Sequence, residues 1–238
     1  VGGMECSGVP TRAATYYERF AKKFPGEKEA PEALQNAIVF RMGQGDYDKA
    51  LDDAKLFVKN YGPRRKYASR TAAVYFSLGQ IFENRNEWDD LVRHYQRYLR
   101  KYGRKGGIDR QVRAHVKIGE VLWRQSCPGK GVNGACIKMK RVRSKRKLKK
   151  RRRRKRRKTI EIRSQCGPAT KMKVTVLNRD RGKARKAQRS FSQALKLYAR
   201  AKGGKGIKGK SKEDKEKRIN DMKFAAAAPP AKLLAENI

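Results

Sequence analysis

GDYDKALDDAKLFVKNYG (45–62) and NEWDDLVRHYQRYLRKYG (86–103) carry one pattern at an offset of 41 residues. The positions that match in kind are Tyr47 with Trp88, Asp48 with Asp89, Phe57 with Tyr98, Tyr61 with Tyr102 and Gly62 with Gly103. Two shorter stretches keep the aromatic positions in step, AATYYERFAKKFPG (13–26) and AQRSFSQALKLY (187–198). Because repetition at a fixed interval of roughly 20–50 residues is typical of stacked structural units, this repeat decides the architecture.

Each copy predicts an amphipathic helix. The apolar residues of the first copy recur at three- and four-residue steps, which places them on one face: Ala50, Ala54, Phe57 and Tyr61. Gly62 and Gly103 follow the last apolar residue of their copies, where we expect a left-handed helix cap.

A second amphipathic helix precedes each copy. The three segments are PEALQNAIVFRMG (31–43), AAVYFSLGQIFEN (72–84) and RQVRAHVKIGEVLW (110–123). Ala37, Gly79 and Gly119 recur in them where paired helices must approach closely. A helix-turn-helix unit of about 34–41 residues, repeated in tandem, predicts an all-α solenoid. In such a fold, stacking buries the apolar face that a single unit leaves exposed.

The units resemble tetratricopeptide repeats over residues 12–123, and in part over 184–199. The stretch YYERFAKKFPGEKEAPEAL (16–34) is similar to a signature of the longer-unit tetratricopeptide proteins of Gram-negative cell envelopes. The sequence as a whole is similar in character to tetratricopeptide proteins of myxobacteria, some of which are linked to gliding machinery. The resemblance implies a tetratricopeptide-like α-solenoid whose concave groove binds protein partners.

The sequence divides into five segments. They are helical repeats at 11–123, an insertion at 124–183, the second helix of a split repeat at 184–201, a flexible linker at 202–217, and the start of a further repeat at 218–238. The chain starts on a second helix and ends on a first one, which predicts a piece of a longer array. No apolar run approaches the roughly 18 residues that a membrane span needs.

The insertion combines cysteines, a basic run and a β pattern. After the run, Ile160 and Ile162 alternate with polar residues, as do Met172, Val174 and Val176 beyond a turn at 166–169. This alternation predicts a small β-hairpin, with the basic run as a strand extension or a loose loop.

Cys127, Cys136 and Cys166 all lie in the insertion. We expect a disulfide between Cys127 and either Cys136 or Cys166, which would imply an oxidising compartment. Free thiols are the alternative. A zinc site needs closely spaced cysteine pairs and four ligands, which this spacing does not offer, so we expect no metal and no cofactor.

The chain has 63 Lys+Arg against 22 Asp+Glu, and the excess is concentrated at 138–158, which holds 17 basic residues and no acidic one. Such a run attracts polyanions by counterion release. Because it holds no aromatic residue for base stacking, it predicts contact with phosphate or acidic surfaces rather than base recognition. The polyanion-binding candidates are Lys145, Arg146, Lys147, Lys149, Lys150, Arg151, Arg152, Arg153, Arg154, Lys155, Arg156, Arg157 and Lys158.

No catalytic constellation is visible. His94 and His115 fall within amphipathic helix patterns and are expected to pack, and no G-x-S-x-G motif occurs. We therefore expect no enzyme. The glycines of GGKGIKGKS (203–211) lack the spacing of a phosphate-binding loop.

These observations favour a non-catalytic scaffold or adaptor of a multiprotein assembly. The partner-binding groove is expected on the first helices, at Asn36, Arg41, Gln80, Glu83 and Lys117. The alternative is a protein that binds nucleic acid or another polyanion, an acidic protein or an anionic surface through 138–158. The envelope resemblance implies the periplasm or the outer membrane; without it, the basic run favours cytoplasm or nucleus.

Overall fold

The computed structural model describes residues 10–128, 136–141, 158–162, 170–204, 206–207 and 211–226. Its first helices are α1 (Pro10–Lys23), α2 (Ala30–Gly43), α3 (Tyr47–Tyr61), α4 (Ala68–Ser77), α5 (Gly79–Asn84) and α6 (Trp88–Lys101), with a 3-10 turn at Arg65–Tyr67. The helices that follow are α7 (Gly103–Gly106), α8 (Ile108–Gln125), α9 (Arg181–Lys202) and α10 (Lys212–Ala226). The strands β1 (Ile137–Arg141), β2 (Lys158–Ile162) and β3 (Thr170–Val176) lie between α8 and α9.

The helices pack as consecutive pairs. Unit 1 joins α2 to α3, unit 2 joins α4 and α5 to α6, and unit 3 joins α8 to α9. Helix α1 packs on α2 as the second helix of a preceding unit would, and α10 packs on both helices of unit 3. Each cluster of buried apolar residues takes members from a unit and from the helix that follows it. Stacking therefore closes the core, as expected for a repeat protein.

The turn between paired helices is the same in units 1 and 2. Gly45 (φ 77°) and Asn86 (φ 59°) stand 41 residues apart in the left-handed region, each two residues before the start of a second helix. The left-handed caps expected at Gly62 and Gly103 are wrong. Gly62 keeps a helical φ of −58°, and Gly103 is the first residue of α7. Pro63 suffices to stop α3, because proline lacks the N–H that a continuing helix needs.

Two glycines let first and second helices approach closely. A Cβ on Gly79 would overlap the Tyr95 ring, and a Cβ on Gly119 would lie 2.7 Å from the Phe191 ring. The two contacts are equivalent in the repeat, since each glycine belongs to a first helix and each aromatic ring to its partner. In unit 3 this contact is made although residues 126–180 separate α8 from α9.

The C-terminal segment differs from the sequence expectation. The second helix expected at 184–201 lies within α9, which begins three residues earlier because the Asp180 carboxylate accepts a bond from the Lys183 N–H at 2.9 Å. The linker expected over 202–217 is too long, since α10 begins at Lys212. There the Ser211 hydroxyl accepts a bond from the Asp214 N–H at 3.1 Å and caps the helix. Among the described residues no helix combines the length and apolar content needed to cross a bilayer.

The insertion contains a three-stranded antiparallel sheet in the order β1-β3-β2. Strands β2 and β3 are neighbours, with Ile160 opposite Met172, in the segment where the sequence predicts a hairpin. The sequence does not predict β1, which pairs along the other edge of β3. Residues 138–141 of the basic run belong to β1 and Lys158 begins β2, whereas 142–157 lie outside the described residues.

The base of the sheet is fastened to α8. A disulfide joins Cys127 to Cys136, with Cα atoms 5.5 Å apart, and Cys166 lies outside the described residues. The Asp180 N–H donates to the Ser126 carbonyl at 2.7 Å, which brings the end of α8 next to the start of α9. We call these contacts the stem.

The close approach at Gly119 generates a test. Gly119→Ala should lower the free energy of unfolding in urea by about 1–2 kcal/mol, because the new methyl group meets the buried Phe191 ring. Gly43→Ala is the matched control, since a Cβ there has no neighbour within 4 Å, and it should leave stability unchanged or raise it by up to about 1 kcal/mol. Equal effects of the two substitutions would contradict the close packing of α8 on α9.

Candidate protein-binding site

The first helices present an aligned row of outward-facing residues. Ile38, Gly79 and Gly119 are equivalent in the repeat and buried against the second helices. The residue after each is turned about 100° around its helix, away from the buried face. These residues, which we call the first-helix row, are Val39, Gln80 and Glu120.

The row changes character from unit 1 to unit 3. Val39 is 58% exposed, an unusual position for an aliphatic side chain, and Gln80 is exposed as well. Glu120 is half-buried, and burial raises the pKa of its carboxyl group above the usual value. One turn further along stand Met42, Glu83 and Trp123, all half-buried. The row is therefore apolar on unit 1 and polar on units 2 and 3.

Two of the five expected groove residues, Glu83 and Lys117, meet across α5 and α8, and a third, Gln80, is bonded within α5. The Lys117 ammonium lies 2.6 Å from the Glu83 carboxylate, and Gln80 donates to the Asn84 side-chain oxygen at 3.0 Å. Asn36 lies half-buried on α2. Sequence reasoning missed Val39, Glu120 and Trp123, although Val39 stands 41 residues before Gln80, and Glu120 and Trp123 stand 40 residues after Gln80 and Glu83, the interval that separates Gly79 from Gly119.

Ion pairs link the first helices of successive units. Glu32 on α2 faces Arg70 on α4 at 4.0 Å, and Arg113 on α8 faces Asp221 on α10 at 3.8 Å. Together with Glu83–Lys117 they place oppositely charged side chains at each of the three joints. Because these groups are partly exposed, each pair stabilises little and mainly fixes the lateral register of neighbouring helices.

Arg41 is wrong as a groove residue. Its side chain is 5% exposed, contacts the Glu18 carboxylate, and places Nε 2.8 Å from Oδ2 of Asp53, which is 2% exposed. Burial raises the pKa of Asp53 to about 6, the nearby Glu18 carboxylate adds to this rise, and Arg41 opposes it. The Arg41 guanidinium is therefore held inside unit 1 by these carboxylates.

The repeat explains why Arg41 points inward. Phe82 and Leu122 are equivalent to Arg41, and both pack against the core. Opposite them, His94 and Ser190 occupy the position of Asp53, and both are buried. Unit 1 thus has an ion pair where unit 2 has the ring contact Phe82–His94, with centroids 5.2 Å apart.

Both histidines serve packing. His94 stacks on Tyr75 with centroids 4.6 Å apart, and its Nε2 lies 2.8 Å from the Tyr75 carbonyl oxygen, so the neutral ring carries its proton on Nε2. Burial lowers the pKa of His94 to about 4. Burial also lowers the pKa of His115, which is half-buried on α8.

Trp123 and Ser126, at the end of α8, hold the insertion. The Arg179 guanidinium lies 3.7 Å from the Trp123 ring centroid and donates to the Trp123 carbonyl at 2.8 Å. A further bond reaches the Ser126 hydroxyl at 3.1 Å. Since Cys127 and Cys136 are bonded to each other, neither thiol is free to ligate zinc. Of the polyanion-binding candidates, Lys158 has a described backbone and 145–157 do not.

The buried Arg41–Asp53 pair predicts a large and rescuable effect. Arg41→Leu should lower the free energy of unfolding at pH 7 by about 2–4 kcal/mol, because Asp53 is left buried beside Glu18 without its cation. Adding Asp53→Ser, which copies the Leu122–Ser190 arrangement of unit 3, should recover more than half of that loss. Lys55→Leu, beside the exposed Asp52, is the control and should change stability by less than about 1 kcal/mol. If the double variant is as unstable as Arg41→Leu alone, the positions of Arg41 and Asp53 are not equivalent to those of Leu122 and Ser190.

His94 predicts a pH effect of defined sign. The folded pKa of about 4 lies below the unfolded value near 6.5, so the unfolded chain binds more protons between these pH values. The contribution of His94 to stability is therefore complete above pH 6.5 and is lost as pH falls towards about 4, a change of about 3 kcal/mol. Urea unfolding at pH 7 and pH 4 should show this loss in the parent and not in His94→Gln. Asp53 titrates in the parent and in His94→Gln alike, so the difference between their pH profiles reports on His94. Identical profiles would contradict the burial of His94 as a neutral ring.

The comparisons with known proteins agree with the geometry of unit 2. Residues 74–106, which include the last four residues of α4 and all of α5, α6 and α7, match the tetratricopeptide repeat. No curated protein and no solved structure matches the chain. The similarity to Gram-negative envelope proteins and to gliding machinery therefore stays a prediction, and the chain carries a tetratricopeptide repeat in unit 2, flanked by helix pairs built on the same pattern.

Proposed function

We propose that this chain is a non-catalytic scaffold that binds a protein partner along the first-helix row. The observation that carries the proposal is the continuity of the row, which places Val39, Gln80 and Glu120 at equivalent positions of three stacked helices. Repeat stacks of this kind offer extended surfaces to protein segments, and tetratricopeptide repeats generally mediate protein–protein interactions.

The chemistry of the row indicates the kind of segment. Val39 and Met42 offer an apolar contact at one end. Gln80 and Glu120 offer amide and carboxylate oxygens at the other end, where a peptide's backbone N–H groups and basic side chains would donate. We infer an extended peptide with an apolar anchor followed by polar or basic residues.

We further propose that the scaffold works in the bacterial cell envelope, in the periplasm or at the outer membrane. The Cys127–Cys136 disulfide supports this setting, because disulfides persist in oxidising compartments and are rare in the cytosol. Cytoplasm or nucleus is the alternative setting if the thiols of the native protein are free.

A second candidate function is polyanion binding through 138–158. The composition of this run, 17 basic residues without an acidic one, favours it. Acidic proteins, anionic surfaces and nucleic acids are the candidate partners. This function predicts an affinity that falls steeply with salt and disappears when the basic residues of 142–157 are replaced by Gln.

The test compares the two surfaces in the full-length chain. Peptides selected from a random display library on the folded protein are synthesised with a fluorophore, and their affinities are measured by anisotropy at physiological salt. Val39→Ser/Gln80→Ala/Glu120→Gln should weaken binding by about tenfold or more. The control, Lys59→Ala/Gln96→Ala/Ser192→Ala, changes exposed residues of the second helices and should alter affinity by less than about twofold.

The variant with a neutral 142–157 should retain peptide affinity if the scaffold proposal holds. Loss of binding in that variant, with the first-helix row variant unaffected, would overturn the scaffold proposal in favour of polyanion binding.

A further inference from the structure

The second helices become more cationic from unit 1 to unit 3. Helix α3 has three basic and three acidic residues, α6 has four basic and two acidic, and α9 has eight basic and none acidic. Net charge therefore rises from 0 to +2 to +8 across equivalent helices. Packing does not require this gradient, because all the basic residues of α3, α6 and α9 are exposed.

All eight basic side chains of α9 are exposed to solvent. Elsewhere in the described chain, exposed cations often have a carboxylate nearby, as in Lys49–Asp46 at 2.9 Å and Arg93–Asp90 at 2.6 Å. None of the basic residues of α9 forms an ion pair with another residue that the structure describes. Their mutual repulsion is uncompensated within this part of the chain, which is the condition under which an external anion binds favourably.

Five of these cations lie along one face of α9. Their spacing of mainly four residues keeps them within about 100° of arc on a helix with 3.6 residues per turn. The opposite face of α9 packs on α8 through residues such as Phe191 and Ala194. With a rise of about 1.5 Å per residue, the row is roughly 28 Å long. We call it the α9 cationic row: Arg181, Arg185, Arg189, Lys196 and Arg200.

We propose that the α9 cationic row is a docking surface for an anionic phospholipid membrane. When α9 lies along a plane with this face towards it, all five cations are on the side that faces the plane, so each can meet a headgroup phosphate. Four of the five are arginines, whose planar guanidinium groups bind phosphate through paired hydrogen bonds.

Two observations favour lipid phosphate over nucleic acid. The aromatic residues of α9 are Phe191, which is buried, and Tyr198, which packs in the same cluster, so the row offers no ring on which a base could stack. The Cys127–Cys136 disulfide, near the start of α9, indicates an oxidising compartment, where membrane surfaces rather than nucleic acids are the abundant polyanion. The surface is separate from the first-helix row, so the inference does not rest on the proposed protein partner.

The experiment is co-sedimentation of the full-length protein with vesicles of phosphatidylcholine containing about one third phosphatidylglycerol, at physiological salt. The row variant replaces all five residues of the α9 cationic row by Gln. The matched control replaces five exposed cations of the N-terminal helices and loops by Gln, which changes net charge equally: Arg12, Arg19, Lys23, Lys28 and Lys59. Both variants are also made in a background with Gln at the basic residues of 142–157, so that this segment does not mask the row. Unchanged circular dichroism establishes that the variants fold.

The row variant should bind vesicles about tenfold or more weakly than the control, in either background, because several phosphate contacts are lost together. Equal weakening in the row and control variants would overturn the proposal, since binding would then follow net charge alone. A single-stranded RNA of about 30 nucleotides is the competing probe. A larger loss of affinity for RNA than for vesicles would also overturn it and assign the row to nucleic acid.

Discussion

The stack depends on how closely each first helix approaches its second helix. At Gly79 and Gly119 the missing side chain leaves room for the Tyr95 and Phe191 rings, and each ring then fills the space between two helix backbones. These contacts set the spacing within units 2 and 3, which in turn fixes the surface offered to the next unit. The three apolar clusters, the ion pairs between first helices and the alignment of the first-helix row all follow from that spacing.

One inward-facing position of the first helix, occupied by Arg41 and its equivalents Phe82 and Leu122, holds side chains of different chemistry in the three units. The repeat geometry therefore tolerates a charged, an aromatic or an aliphatic residue there. With the facing residue of the second helix, the pairs are Arg41 and Asp53 in unit 1, Phe82 and His94 in unit 2, and Leu122 and Ser190 in unit 3. The ion pair needs the additional Glu18 carboxylate from α1, so unit 1 depends electrostatically on the helix before it. The aromatic and aliphatic versions need no such partner, because they bury no charge.

The sequence was sufficient to predict the helix pairs, because the 41-residue offset keeps the aromatic and glycine positions aligned. It misled at Arg41, where an arginine within an amphipathic helix was placed on the outer face. Within the sequence, the signal that the position is internal is its equivalence to Phe82 and Leu122. Left-handed residues were expected at Gly62 and Gly103, after the second helices of units 1 and 2, but in these units they stand before the second helices, at Gly45 and its equivalent Asn86. Strand β1 was missed because its residues, IKMKR, were assigned to the basic run, although they show the same alternation that predicts the other two strands.

The stem has a consequence for the order in which the chain folds. In unit 2 the partner helices are joined by a short turn, whereas the helices of unit 3 must meet across residues 126–180. Closing a longer loop carries a larger entropic cost, and contacts between residues distant in sequence form more slowly. We therefore expect unit 2 to fold first, with α8 packed against it. Helix α9 docks on α8 afterwards. We expect the bond between Asp180 and Ser126 to form when α9 docks, because it joins the two ends of this long connection.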